Sequence, residues 1–474
     1  MAQIPMLSGV VADPGADFRV SLPVNLVPVP GANGIANGYF RTLEGITRFD
    51  VGAPAISGYG RGGINWKGIE YRVIGSKFVS VSSAGAVTVI GDVGNDGKSV
   101  SMDYSFDRLA IASAGRLYYF DGGAILTLVT DPDLGAALDV TWMDGYFVTT
   151  DGEFIVVTEL NDPAAVDPLK YGSSEADPDP VMGTLKLREE LYAFNRYTIE
   201  VFDNIGGSNF PFQRNVGAMI EKGAVGTHAF CLMPDQVIAF LGSGRNEPCS
   251  VFIGGGGQAT SVATREVEDI LKTYSDTELA QAVVESRADR KHKNLIISLP
   301  RHTLTYDLGA TAALQQPVWY IQSSSDDLES PMRAWHYVFC YGKWTCDDRY
   351  DQRLGVMDKD VFTQYGDDVG WRFDTTLLYN SSMGAIIHSL ELVGLPGRAG
   401  FGTNPVMFLS FTKDGVTWGN ERMISIGRQG ERNKRMAYRP SISFENWMGI
   451  RYRGANAAIV AFTRLEAKLE PLSV

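Results

Sequence analysis

The sequence is poor in the residues that build metal centres and disulfide frameworks. Its 474 residues include only four cysteines, and no two of them have the CxxC spacing of a metal or redox site. We expect Cys231, Cys249, Cys340 and Cys346 to be reduced and packed as small apolar side chains. The five histidines are scattered and form no HExxH motif, so the sequence predicts no zinc site.

Catalytic and cofactor-binding motifs are also missing. No GxSxG motif is present to anchor a hydrolase triad. The run Gly254–Gly257 is followed by Gln258, Ala259 and Thr260 rather than by the Lys and Ser or Thr of a phosphate-binding loop. We interpret this run as a tight turn after a strand, and we predict no catalytic residues, no cofactor and no metal.

The chain has no long apolar run. No stretch approaches the roughly 18 uninterrupted apolar residues that a membrane span requires. The first residues also lack the basic segment and continuous apolar core of a secretory signal. We therefore expect synthesis in the cytoplasm and no insertion of this chain into a membrane.

Positive charge is in deficit. The 42 Lys and Arg residues are outnumbered by 55 Asp and Glu, which gives a net charge of −13. This balance argues against tight binding to DNA phosphates, but it allows DNA to pass nearby. One basic segment of twelve residues stands out, opposed only by Glu431, and it is either a docking surface for an acidic neighbour or DNA, or a solvated loop. Its five cations are Arg428, Arg432, Lys434, Arg435 and Arg439.

Glycine and tyrosine are abundant, and short apolar runs separated by Gly- or Asp-containing turns recur through the first 370 residues. This pattern favours short antiparallel strands over helices. The hairpins that it predicts are Tyr71–Ser80, Arg108–Phe120, Gly145–Thr158, Leu191–Phe202, Gln236–Ile253, Asn294–Tyr306 and Lys343–Val361.

The spacing of these hairpins predicts the architecture. Successive first strands lie 38, 38, 44, 46 and 58 residues apart, which is typical of propeller blades. We predict an all-β protein in which residues 51–370 form a β-propeller of six or seven blades. A generic β-rich protein with hairpins at these intervals by chance is the alternative. The longest interval has room for a helix at Thr264–Lys272, where apolar residues have helical spacing.

The two ends of the chain differ from the middle. Beyond a change of pattern near Gly366–Trp371, longer alternating strands predict a C-terminal β-sandwich domain over residues 371–474. These strands are expected at Asp374–Leu378, Ile386–Leu392, Val406–Phe411, Arg422–Ile426, Ile450–Tyr452 and Ala457–Leu469. Residues 1–50 are rich in proline and glycine, which predicts an extended N-terminal arm ending in a short strand.

The segment Thr412–Trp418 reads TKDGVTW and resembles an Asp-box, a β-hairpin turn of sialidases and other propellers. In such a turn the Asp ties down the backbone and the Trp packs beneath it. A sialidase would also need several boxes, an arginine triad and a nucleophilic tyrosine. We therefore interpret this single box as a folding device.

Five stretches, in this order along the chain, point to one known family. They are Ser21–Asn25 (SLPVN), Gly38–Arg41 with Gly45–Thr47, Ile253–Ala259 with the segment that follows it, Leu295–Asp307 and Thr412–Gly419. Together they resemble, in register, the packaged-DNA stabilisation protein of short-tailed bacteriophages. The similarity extends over nearly the whole chain, although loop lengths differ.

The resemblance implies a structural, non-enzymatic tail hub or nozzle in the virion tail, synthesised in the host cytoplasm. In that family six copies form a ring below the portal and its head-to-tail adaptor protein. The ring seals the packaged DNA and passes it during ejection without sequence-specific binding. It also anchors a tail needle or plug and tailspikes or fibres.

Two other functions compete with this one. The first is a carbohydrate-binding or glycoside-hydrolysing propeller protein of a phage tail, which needs convergent carboxylates or arginines in a concave site. The second is a monomeric propeller scaffold without a viral role.

Overall fold

The computed structural model describes residues 2–4, 6, 9–12, 17–31, 35–51, 54–123, 125–160, 162–207, 209–381, 383–455 and 458–472. The chain divides into two compact units. The propeller unit comprises Arg48–Pro300 and Arg333–Met357. The sandwich unit comprises Met1–Thr47, Arg301–Met332 and Asp358–Val474.

The first third of the chain is built from short strands. The strands before the first propeller sheet are β1 (Ala2–Ile4), β2 (Gly9–Ala12), β3 (Phe18–Ser21), β4 (Leu26–Pro30), β5 (Gly38–Thr42) and β6 (Gly45–Arg48). The strands of the first three propeller sheets are β7 (Gly60–Trp66), β8 (Ile69–Ile74), β9 (Lys77–Val81), β10 (Val87–Asp92), β11 (Ser101–Tyr104), β12 (Leu109–Ser113), β13 (Arg116–Phe120), β14 (Leu126–Leu128), β15 (Thr141–Met143), β16 (Tyr146–Thr150), β17 (Phe154–Glu159), β18 (Asp162–Val166) and β19 (Gly172–Ser173).

The middle of the chain continues this pattern and adds short helices. Its strands are β20 (Val181–Leu187), β21 (Glu190–Asn195), β22 (Ile199–Asn204), β23 (Phe212–Arg214), β24 (Gly223–Ala224), β25 (Phe230–Met233), β26 (Val237–Ser243), β27 (Ser250–Gly255), β28 (Gln258–Ser261), β29 (Val283–Asp289), β30 (His292–Ser298), β31 (Thr303–Asp307), β32 (Trp319–Gln322), β33 (Ala334–Cys340), β34 (Lys343–Asp348) and β35 (Leu354–Asp358). The α-helices are α1 (Arg265–Leu271), α2 (Asp276–Leu279) and α3 (Leu308–Leu314), and 3-10 turns lie at Pro168–Lys170 and Val216–Ala218.

The C-terminal part returns to strands alone within the described residues. These strands are β36 (Trp371–Asp374), β37 (Leu378–Tyr379), β38 (Ala385–Gly394), β39 (Val406–Thr412), β40 (Arg422–Ser425), β41 (Met436–Tyr438), β42 (Ile442–Phe444), β43 (Trp447–Gly454) and β44 (Ala461–Pro471).

The propeller unit is a closed ring of antiparallel sheets. Its sheets are β7–β10, β11–β14, β15–β19, β20–β23 and β24–β28, followed by the β29–β30 hairpin and the three strands β33–β35. Each group contributes an inner strand that neighbours the inner strand of the next, in the order β7, β11, β15, β20, β25, β29 and β33. The last inner strand, β33, again neighbours β7. The described residues of this unit therefore form a propeller of seven blades, within the predicted range of six or seven.

Apolar side chains between successive blades hold the ring together. Between the first two blades, buried Trp66, Tyr71 and Phe78 pack with Leu109 and Phe120. Similar buried clusters fill the spaces between the second and third blades and between the third and fourth. Because each blade packs against a neighbour on both faces, its middle strands are buried along their length, as in the five buried residues of β12.

The strongest sequence signals correspond to the second and third strands of each blade. The predicted hairpin at Tyr71–Ser80 is β8–β9, that at Arg108–Phe120 is β12–β13, and that at Leu191–Phe202 is β21–β22. The predicted helix is confirmed as α1, which buries Val267 and Leu271. In the Gly254–Gly257 run, the first two glycines end β27 and the last two form the tight turn to β28, with positive φ at Gly256 and Gly257.

The sandwich unit contains two packed sheets. One has the order β4–β5–β44–β38–β41, with β1 on β44 and β42 on β38, and the other has the order β36–β43–β39–β40, with β37 on β43. Phe373 of the second sheet stacks on Phe40 of the first, with ring centroids 5.7 Å apart, and Trp371 contacts Phe462. The predicted strand at Asp374–Leu378 is wrong, because Thr375–Leu377 separate β36 from β37.

The N-terminal segment differs from the extended arm that its prolines suggest. Strands β4 and β5 form a hairpin, and β5 pairs with β44 through Arg41 and Phe40. Leu26 and Phe40 are buried in the core of the sandwich unit. Pro28 and Pro30 fit into this sheet because β4 is an edge strand, where a missing N–H breaks no ladder hydrogen bond. The proposed boundaries at residues 50 and 370 stay a prediction.

All four cysteines are free, and Cys340 and Cys346 are buried. Across the described residues, none of the helices has the length and apolar character that a membrane span needs.

Candidate functional site

The inner strands of the propeller unit surround a polar cavity of about 350 Å³. Six of the blades line it, from Ser101–Asp103 on β11 to His336 on β33. Three carboxylates, Asp103, Asp139 and Glu285, face a single lysine, Lys186, among its described lining residues. The cavity therefore brings carboxylates from three blades close to one another, and its chemistry depends on the partners of each carboxylate.

Most of these carboxylates join one blade to the next. Asp103 accepts a hydrogen bond from the backbone N–H of Trp142 on the following blade, at 2.6 Å. Asp139 accepts from both the N–H and the hydroxyl of Thr184, at 2.5 and 2.8 Å. Because their oxygens are already bound to backbone donors, these groups are suited to holding the blades in place rather than to acid–base catalysis.

Glu285 makes the corresponding junction between the last two blades. Its carboxylate accepts from the backbone N–H groups of His336 and Tyr337, at 2.8 and 3.0 Å. These two donors point the same way because a register shift between Trp335 and Val338 interrupts β33 and gives His336 a positive φ of 50°. The imidazole Nε2 of His336 lies 3.0 Å from the hydroxyl of Ser99.

Burial changes the protonation of these junction groups. It raises the pKa of Glu285 to about 7, against the lowering effect of the two N–H donors, and raises the pKa of Asp139 to about 6. Burial also lowers the pKa of His228 to about 4, and it lowers that of His336 well below the usual histidine value. In the described part of the chain, no group of three or more His, Cys, Asp or Glu side chains is placed to hold a metal ion.

We predict that Glu285→Gln reduces the dependence of propeller stability on pH. A carboxyl whose folded pKa is raised binds more protons in the folded state, so its contribution is present at low pH and is lost as pH rises from about 4.5 towards about 7. The variant keeps an oxygen acceptor but cannot titrate. Urea unfolding of both proteins across this range should show a weaker fall of stability with rising pH in Glu285→Gln.

The comparison between the two proteins isolates Glu285 from its surroundings. Asp347 and Arg72 lie near it and remain in both, and the histidines of the cavity act in the opposite direction in both. Parallel pH profiles for the two proteins would contradict the assignment of a raised pKa to Glu285.

Blade closure uses a fully buried ion-pair network. The guanidinium of Arg72 lies 2.5 Å from Glu70 and 2.8 Å from Asp347, and both of its carboxylate partners are fully buried. Arg72 also donates to the hydroxyl of Thr345 and to the carbonyl of His336. Asp347 in turn accepts from the N–H of Gly62. The network therefore connects the first blade to the last. These two blades are neighbours in the ring but do not follow one another along the chain, as the other neighbouring blades do.

The predicted Asp-box forms the turn after β39. Asp414 accepts hydrogen bonds from the hydroxyl of Thr412 and the N–H groups of Val416 and Thr417. Hydrogen bonds to Thr417 and Val416 hold the pKa of Asp414 below its usual range. The guanidinium of Arg451 covers the ring of Trp418 at 3.8 Å. The carboxylate of Asp414 stabilises the turn through these hydrogen bonds, which is a structural role.

The five cations of the predicted docking segment are all exposed and lie between β40 and β42. Arg435 forms a two-bond ion pair with Glu391, and Lys434 lies 3.9 Å from Glu431. Among the described residues, no carboxylate pairs with the guanidinium groups of Arg428, Arg432 and Arg439. The structure therefore places the segment in a solvated loop with three uncompensated cations; the docking role stays a prediction.

A strongly acidic part of the propeller unit was not singled out by the sequence analysis. Residues 131–180 contain 12 Asp and Glu against one lysine, Lys170. A count of charge in a sliding window finds this segment, whereas the net charge of the whole chain conceals it. The acidic face is defined here as Asp131, Asp133, Asp151, Glu153 and Glu175.

The members of the acidic face lie close together. Asp151 lies against Gly135, in the loop that carries Asp131 and Asp133. Burial and the carboxylates of Asp151, Asp133 and Asp131 raise the pKa of Tyr171. Glu153 follows Asp151 in the same turn. The pairing of Phe154 with Ser173 brings Glu175 next to this turn. In the described structure none of the five carboxylates forms an ion pair with Lys or Arg.

Comparison with known proteins identifies the family. The model of the Bacteriophage P22 Gp10 β-propeller matches residues 2–362, and the model of the Bacteriophage P22 Gp10 β-sandwich matches residues 370–470. The chain belongs to the Bacteriophage P22 Gp10 family. The resemblance to a short-tailed phage protein and the fold class of propeller with sandwich are thereby confirmed.

One curated relative of this Gp10 family member spans its full length. The tail hub protein gp10 of Salmonella phage P22 is 28% identical over 495 aligned residues, which cover 99% of each chain. Solved structures match at much lower similarity. The N-terminal domain of Nup159 has 9% identity and a TM-score of 0.41 over 71% of this chain and 99% of its own. The Pan2 WD40 domain of Neurospora crassa has 10% identity and the same TM-score over 67% and 95%.

Proposed function

We propose that this protein is a structural, non-enzymatic tail hub of a short-tailed phage. Copies of the chain form a ring, six in number, below the portal and the head-to-tail adaptor. The ring seals the packaged DNA, passes it during ejection, and anchors a tail needle or plug and tailspikes or fibres. The observation that carries this proposal is the family match over both domains, in the same order and over the length of a tail hub protein.

The fold suits a part that resists internal pressure. In a closed propeller the blades protect one another, so only short strand edges are exposed to unwanted pairing. Buried clusters between blades and the Arg72 network hold the blades of the propeller unit together. Head-to-tail contacts between identical rigid bodies close into rings when the rotation between copies divides a full turn.

Charge supports a passage role for DNA. The chain carries a net charge of −13, and an acidic wall offers DNA phosphates no strong attachment. DNA then slides past the hub rather than adhering to it.

We predict that virions contain this chain as a ring at the tail and that particles lacking it lose their DNA. Particles made by a phage with a disrupted copy of the gene should package DNA that becomes accessible to DNase, and purified chain added afterwards should restore protection. Single-particle imaging of complete virions should show six copies on the tail axis. The heat-unfolded chain is the matched control for the addition.

Two results would contradict the proposal. If particles that lack the chain still protect their DNA from DNase, the chain does not seal the DNA. If imaging locates the copies away from the tail axis, the chain is not the tail hub.

A further inference from the structure

The charges of the chain are divided along its length. Residues 371–474 carry 13 Lys and Arg against 8 Asp and Glu, whereas residues 1–370 carry 29 against 47. A net charge of −13 thus hides a basic C-terminal part attached to a strongly acidic remainder. Two copies of such a chain attract each other when the basic part of one meets the acidic part of the next.

Both parts present their charge on accessible loops. The basic side is the docking segment, where Arg428, Arg432 and Arg439 are exposed and make no ion pair with any described carboxylate. The acidic side is the acidic face, where Asp133, Glu153 and Glu175 are exposed and likewise form no ion pair with a described Lys or Arg. Repulsion among clustered like charges is relieved when the opposite charge covers them.

We propose that the basic docking segment of one copy binds the acidic face of the next copy around the hub ring. This inference rests on the proposed function, because it requires several copies in one assembly. The contact is heterologous, since two different surfaces meet, and a repeated heterologous contact is the type that generates a ring. A second copy suits the segment better than DNA does, because the acidic face of the chain provides a matched partner and repels phosphate.

The test reverses each surface in the full-length chain. Arg428→Glu with Arg432→Glu reverses the basic side and breaks no ion pair with a described residue. Asp133→Lys with Glu153→Lys reverses the acidic side. Each double variant is supplied to a phage with a disrupted copy of the gene, and the copies of the chain per purified particle are counted by quantitative mass spectrometry. Each is expected to lower incorporation by about tenfold or more.

Rescue distinguishes a contact between copies from any other role. A chain carrying all four reversals should regain incorporation, because every contact is again between opposite charges. An equal mixture of the two double variants should also assemble, with the variants alternating around an even-numbered ring. If the segment binds DNA or the adaptor instead, neither the fourfold variant nor the mixture recovers.

Matched controls separate charge from folding. Lys413→Glu with Lys468→Glu changes exposed cations of the sandwich unit, and Asp121→Lys with Glu189→Lys changes exposed carboxylates of the propeller unit by the same number. Both controls should assemble normally, and all variants should keep the wild-type melting temperature. If the wild-type chain forms a ring and each double variant is incorporated as well as the wild type, this inference alone is overturned. Absence of a wild-type ring would overturn the proposed function as well.

Discussion

Replacing Arg72 with methionine should lower the free energy of unfolding of the propeller unit by about 3–5 kcal/mol. The side chain is fully buried, and its removal leaves Glu70 and Asp347 as buried carboxylates without a cation. Burial opposes the charge of Arg72, but the attraction of Asp347 and Glu70 outweighs it and raises the pKa of the guanidinium. Urea unfolding at neutral pH measures the effect.

The pH dependence of this defect tests its cause. Burial already raises the pKa of Asp347 to about 7 in the presence of Arg72, and loss of the cation raises it further. The carboxyl therefore becomes neutral as pH falls, and the difference between variant and wild type should narrow from about pH 8 to about pH 5. The exposed Arg116→Met is the control and should change stability by less than about 0.5 kcal/mol. A defect independent of pH would show that lost packing, not unpaired charge, is responsible.

Replacing Asn25 with alanine should lower the stability of the sandwich unit by about 3 kcal/mol. The buried amide donates to the carbonyls of Ser323 and Gly370, at 3.0 and 2.7 Å, and its oxygen accepts from the N–H of Ser323 at 2.8 Å. All three backbone groups lose a partner in the variant. The φ of 53° at this position adds strain for alanine, because asparagine tolerates the left-handed region better.

A matched pair of variants makes this test specific. Asn433→Ala removes an exposed amide of the same unit and should leave the urea midpoint within experimental error. Asn25→Asp should be at least as damaging as Asn25→Ala, because a carboxylate would face the two carbonyls that the amide now satisfies. An Asn25→Ala protein as stable as wild type would show that these hydrogen bonds contribute nothing net.

Asn25 also shows what sequence reasoning can and cannot supply. The SLPVN stretch was informative as part of a resemblance, but its role depends on contacts with residues about 300 positions away in the chain, which no local pattern reveals. In contrast, hairpins such as β12–β13 could be predicted, because buried strands of Leu, Ile and aromatic residues around a Gly turn produce a local signal.

The inner strands of the blades and the N-terminal segment were harder to predict, for physical reasons. The first strands of blades, such as β11, carry polar side chains that face the cavity or the next blade, so they lack an apolar run. Pro28 and Pro30 indicated a loop, since the sequence alone cannot tell an edge strand from an unpaired one. The acidic face was missed because the net charge of the whole chain conceals the excess of carboxylates within residues 131–180.

The basic segment was found from its charge density, which is a purely local property. Its ion pairs were not predictable, because the partner of Arg435 is Glu391 on a strand 44 residues earlier. Two of the five cations, Lys434 and Arg435, lie near carboxylates in the structure, so three remain available for a partner.

The pairing of both chain ends in one sheet has a consequence for biosynthesis. Strands β1 and β5 pair with β44, the last strand described. About 420 residues separate Thr42 from Ala461, so a ribosome moving at about 5–20 residues per second needs roughly 20–80 s between them. During that time Leu26 and Phe40 have no β44 to cover them. The nascent hairpin must wait for the final segment to leave the ribosome, and chaperone protection is needed most at the beginning of the chain, which is made first and completed last.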